Sequence, residues 1–106
     1  MVATRTTNLT RAQILKTLRE HDEQLKEFSV CRIGLFGSYA KGSETDESDI
    51  DFLVEFEKPT YDNFYNLIEY LEGLFGRRVE ILTPSALETM RIEEVADSIR
   101  ESVVYV

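Results

Sequence analysis

Asp49 and Asp51 stand two residues apart in Ser48-Asp49-Ile50-Asp51-Phe52-Leu53-Val54, and a turn that opens on Gly37-Ser38 and closes at Gly42 precedes them. Each part has a chemistry of its own. Glycine lets backbone N–H groups approach phosphate oxygens closely, and a serine hydroxyl donates to the same oxygens. Two carboxylates on one strand face can hold Mg²⁺, which takes oxygen ligands and bridges carboxylates to substrate phosphates. A third acid, Glu80, lies in a later apolar segment. From a neighbouring strand it would complete a two-metal site, with ions about 3.5–4 Å apart. Together the parts suit a nucleoside triphosphate.

Simpler cradles do not fit. Gly37 and Gly42 have the outer spacing of a P-loop, but that loop needs Lys and then Ser or Thr after the second glycine, with a helix following. Here Ser43-Glu44 and an acidic strand follow. Gly34 and Gly37 are three apart, which breaks the dinucleotide fingerprint, and the Asp46 to Asp51 stretch lacks the sixth-position glycine of an EF-hand. Paired aspartates are themselves poor strand formers and repel one another, so a purely structural role explains them badly. Ser38 alone would read as a turn residue, Lys41 and His21 as solvated surface residues, Cys31 as a small buried hydrophobe.

The elements that must position these residues follow from hydrophobic periodicity. Residues 1–8 are polar and aperiodic and read as a flexible tail, leaving 9–106 as one domain. Ile14, Leu15, Leu18, Leu25 and Phe28 fall at helical spacing behind Thr10 and Gln13, a capping-box pair, and predict a helix over about 10–28. Val30 to Phe36 predicts a strand that stops at Gly37-Ser38. Ile50, Phe52, Val54 and Phe56 then alternate with Asp49, Asp51, Leu53 and Glu55, so the first set faces a core and the second the opposite side. Thr60 and Gly76 bound a helix carrying Phe64, Leu67, Ile68, Leu71, Leu74 and Phe75. Residues 77–82 predict a third strand, with Val79 and Ile81 on one face and Glu80 on the other. Thr83-Pro84 opens a short helix to about Met90. A last helix carries Ile92, Val95, Ala96 and Ile99, and 103–106 form a short strand or docked tail. This order is that of an α/β (α+β) fold.

Composition narrows the partners. Twenty acids against 12 bases give 106 residues a net charge of -8, which opposes direct binding to nucleic acid through phosphate neutralisation. Seven of the acids lie between Glu44 and Glu57 with no base among them. One cysteine cannot form an intramolecular disulfide, the N-terminus lacks the apolar core of a secretory signal, and no apolar run nears the roughly 18 residues of a membrane span. A cytoplasmic protein without membrane contact is expected.

The combination of Gly37-Ser38, Gly42 and Asp49-x-Asp51 resembles the polymerase-β-type nucleotidyltransferases. In particular it resembles their minimal members (MNT proteins), often encoded beside HEPN-domain toxins as antitoxins. The resemblance runs as motif from about Cys31 to Leu82. It implies the polymerase-β-like fold, a small mixed β-sheet packed against helices. Gly37 and Ser38 would bind the β and γ phosphates of ATP, Gly42 would close the turn, and Lys41 would stand where relatives often carry arginine. Asp49, Asp51 and Glu80 would be the catalytic metal ligands for two Mg²⁺ ions, Glu80 in a position where the family more usually has aspartate. The implied reaction is transfer of AMP from ATP to a hydroxyl, a tyrosine of a cognate HEPN toxin, with neutralisation of a toxin by simple occlusion as the alternative.

Overall fold

The computed structural model describes residues 9–45, 48–89 and 93–106. The expected tail at 1–8, Met90 at the expected end of the short helix and Ile92 of the expected last helix lie outside them. In chain order the elements are α1 (Arg11–Glu20), α2 (Asp22–Glu27), β1 (Val30–Phe36), α3 (Gly37–Lys41), β2 (Ile50–Phe56), α4 (Tyr61–Phe75), β3 (Val79–Leu82), α5 (Pro84–Glu88), α6 (Glu93–Ser102) and β4 (Val104–Tyr105).

The strands form one sheet in the order β3-β2-β1-β4. β1 pairs antiparallel with β2 and with β4, whereas β2 and β3, joined through α4, run parallel. Residues of alternate parity supply two cores. Ile33, Leu35, Ile50, Phe52, Val54, Val79 and Ile81 face α1, α2 and α4, which contribute Ile14, Leu15, Leu18, Leu25, Leu67 and Leu71. On the reverse face a smaller cluster joins Phe36 and Leu53 to Leu87 of α5 and Ala96 of α6. Each such aliphatic or aromatic side chain, fully buried, contributes about 1.5–3 kcal/mol.

Local signals set the boundaries. Both bonds of the Thr10–Gln13 capping box form, Thr60 and Thr83 accept from the backbone of Asn63 and Ala86, and Gly76 ends α4. Three expectations change. The first helix is split at His21, whose half-buried ring places Nδ1 2.8 Å from the Thr17 carbonyl and so competes with the helical backbone bond to that same oxygen. His21 also meets Tyr70 edge-on, so it is not simply a solvated residue. Cys31 is exposed, not buried. A register shift between Val30 and Arg32 inserts one extra residue in β1, and this bulge hands the core-facing place to Val30. Leu53, placed by parity with the aspartates, is 3% exposed because α5 and α6 cover its part of the face.

Candidate active site

The face that carries Leu53 carries a row of three paired residues at its other end: Phe36 of β1 lies beside Asp51 of β2, which lies beside Glu80 of β3. The strand after Phe36 turns at once into α3. Gly37 adopts φ +75°, and a Cβ there would run into the Asp51 carboxylate. This one position therefore demands glycine twice, for backbone conformation and for space. The Gly-Ser turn and the aspartate are thus a single packed unit.

Residues 37–43 are not only a turn. Gly37–Lys41 form a five-residue helix whose N-cap, Phe36, supplies no side-chain cap. At its far end Ser43 N–H donates to the Ser38 carbonyl at 2.9 Å and Gly42 N–H to Tyr39 at 3.4 Å, a Schellman closure with Gly42 in the left-handed region. Tyr39 and Ala40 are buried against the main core. Arg11 of α1 donates from its guanidinium to the Ala40 carbonyl at 2.9 Å. Nothing in the sequence marks Arg11, since the bond joins residues 29 apart.

Asp51 is half-buried and Glu80 exposed. Burial, the adjacent charge of Glu80, a hydrogen bond to Glu80 and the charge of Asp49 push the Asp51 carboxyl up to about 6. Protonated Asp51 then donates to Glu80. Asp49, just ahead of β2 and also half-buried, adds charge. Among the described residues no three acids, histidines or cysteines converge tightly enough to hold a metal ion, so the close pair is Asp51 and Glu80, with Asp49 beside it. The donor set fits a hard divalent cation. Two carboxylates that must share a proton are relieved when positive charge sits between them, and all their donor atoms are oxygen.

Gly37 and Lys41 also border a recess of about 300 Å³ whose other wall is α6, through Glu94, Ser98 and Ser102. Sequence reading gave α6 only a packing role; its serines are two further polar groups next to the glycine turn. Ser38 lies half-buried in the first turn of α3, and Lys41 is exposed in the last. Among the described residues no helix is long and apolar enough to cross a membrane.

A family model described as nucleotidyltransferase domain matches residues 14–104. The protein adenylyltransferase MntA of Thermococcus cleftensis is 41% identical over 100 residues, spanning 92% of this chain and 97% of the relative. Among solved structures, a candidate minimal nucleotidyltransferase superposes with TM-score 0.72 at 23% identity, over 92% of this chain and 97% of that one. A toxin–antitoxin crystallised with AMP-PNP gives 0.60 at 21% identity, over 92% and 72%. The solved structures share the fold, a small mixed sheet packed with helices.

Proposed function

Because the chain belongs to the nucleotidyltransferase domain family, we propose that it transfers AMP from ATP to a hydroxyl of a partner protein, a tyrosine of a cognate HEPN toxin, and so acts as antitoxin. The relative named protein adenylyltransferase supports the choice of AMP and of a protein acceptor. The fold shared with a toxin–antitoxin bound to AMP-PNP supports the choice of nucleotide and of a toxin partner. The observation that carries the reading is the constellation of Gly37, Asp51 and Glu80, a left-handed glycine at the start of α3 packed directly against one of a pair of adjacent carboxylates.

In this reading Asp51 and Glu80, with Asp49, hold Mg²⁺, which supplies positive charge against the triphosphate and the charge that develops on transfer. The chain's own groups do the positioning. N–H groups at the start of α3 and the Ser38 hydroxyl bind the β and γ phosphates, Gly37 admits them to the backbone, and Lys41 adds charge as a point rather than a fork. Arg11 and the Gly42 closure hold α3 in place. The acceptor oxygen attacks the α-phosphorus in line, a new O–P bond forms, and the bond to the β-phosphate oxygen breaks with its electron pair leaving on pyrophosphate. The hydroxyl proton passes to the exposed Glu80 carboxylate. Catalysis is mainly positioning and electrostatics.

The test is to incubate the purified protein with ATP, Mg²⁺ and the product of the adjacent gene and to weigh the partner. One added AMP is expected, and none with Asp51→Asn. An unmodified partner from the wild-type reaction refutes the transferase reading. Protection of growth by a folded, partner-bound Asp49→Asn/Asp51→Asn variant would instead favour occlusion.

A further inference from the structure

At the end of β2 remote from Gly37, a pocket of about 530 Å³ opens between the β2–α4 and β3–α5 junctions. Its walls are largely aromatic, with Phe56, Tyr61, Phe64 and Tyr65, and Glu55 is the one charged residue among those lining it. Tyr61 and Tyr65, one helical turn apart, stack with centroids 6.3 Å apart and planes 19° from parallel. Tyr65 meets Phe64 edge-on at 5.6 Å. Yet Tyr61 and Tyr65 are 81% and 60% exposed, so the pair is open to the outside rather than filling a core. Among the described residues Glu55 has no ion pair. Its cross-strand neighbour Arg32 lays its guanidinium over the Tyr105 ring instead, 3.6 Å from the centroid.

These groups discriminate by charge. An anion would meet the Glu55 carboxylate, the one charged group among the lining residues. A cation would meet negative ring faces and an unpaired carboxylate together. The volume exceeds what a bare ion needs, and Phe56, Pro59, Phe64 and Pro84 give it apolar wall beside the polar Thr60, Thr83 and Ser85, which suits a long stem with a charged tip. A planar guanidinium stacks on aromatic faces better than an ammonium does. The net charge of -8 favours a cationic partner at long range as well.

We propose that this pocket receives an arginine side chain of the partner protein, guanidinium against Tyr61, Tyr65 and Glu55, and stem against Pro59 and Pro84. The inference deepens the reading above and rests on its protein partner. Glu55 and Asp51 lie on one face of β2 four residues apart, about 13 Å. An arginine anchored at Glu55 would therefore leave its protein within reach of the transfer site without entering it.

The test uses acetyl-Gly-Arg-Gly-amide, with its Lys, Gln and Glu counterparts, titrated into the ¹⁵N-labelled protein. Saturable amide shifts at Glu55, Tyr65, Thr83 and Ser85 are expected with the Arg peptide and weaker ones with Lys. Affinity for the Arg peptide should fall about three- to tenfold in Glu55→Gln and in Tyr61→Ala/Tyr65→Ala. No saturable shift up to about 50 mM, the range that one ring contact and one exposed ion pair support, would overturn the proposal. So would equal binding of the Gln or Glu peptide, or Arg binding unaltered in both variants. A parallel Mg²⁺·ATP titration reads the other site and is expected to be unchanged in these variants. Loss of nucleotide response with Arg binding intact would count against the transferase reading alone.

Discussion

Replacing Asp51 by Asn should make the metal-free protein more stable while abolishing transfer. The rise of the Asp51 carboxyl from 3.8 to about 6 corresponds to at most about 3 kcal/mol, at about 1.36 kcal/mol per pH unit. Because Asp51 is only half-buried, screening by solvent reduces this to about 1–2 kcal/mol. For a chain of 106 residues that is a midpoint shift of about 5–10 °C. The pH dependence identifies the cause. In the unfolded chain Asp51 ionises near 3.8, whereas in the fold it keeps its proton to about 6, so wild-type stability falls as pH rises through that window. Below it the carboxyl is protonated in both states and the penalty is absent. Thermal or urea unfolding of both proteins in EDTA at pH 7.5 and at pH 3.5 should show the gain at the higher pH and lose it at the lower. Added Mg²⁺ should narrow the difference at pH 7.5 by stabilising the wild type alone. An Asn variant no more stable at pH 7.5, or equally favoured at pH 3.5, would refute the idea that crowded carboxylates set this term.

Gly37→Ala should abolish transfer and lower stability by about 1–2 kcal/mol for the left-handed backbone alone, with more from displacement of Asp51; circular dichroism melts and the mass assay would show both. Arg11→Ala should lower stability by about 1.5–3 kcal/mol, the worth of a charge-assisted bond, and raise KM for ATP more than it lowers kcat, because the lost bond holds α3 and not the acceptor. Leu87→Ala should cost about 2–5 kcal/mol in urea unfolding, since Leu87 is 3% exposed and helps close α5 over Leu53.

What could be read ahead of the structure was local. Thr10 with Gln13, Thr60 with Gly76, and Thr83-Pro84 each announce a helix boundary through bonds made within a few residues, and each boundary is where expected. The alternation from Ile50 to Phe56 correctly separated the aspartate face from the main core. It also put Leu53 on the aspartate side, where it lies, but did not show that this part of the face is covered, because whether the second face of a strand is wet depends on which distant helices pack on it. Cys31 failed for a related reason: one inserted residue reverses parity, and a bulge leaves no mark in an apolar run. Gly37-Ser38 and Asp51 were legible as motifs, but their direct contact was not, and neither was the tie from Arg11 to Ala40. Both depend on pairing between segments far apart in the chain.

The parallel pairing that sets Asp51 beside Glu80 spans the whole of α4, and this has a kinetic side. A parallel pair closed through a helical crossover forms only after a long loop has been closed, so such contacts are made late on the folding route. Repulsion between the two carboxylates then acts on the native side of the barrier and barely touches the climb towards it. Relief of that repulsion, by substitution or by a cation, should appear almost entirely as slower unfolding, with the refolding rate little changed. For this fold a bound cation would lengthen the lifetime of the finished molecule without hastening its formation.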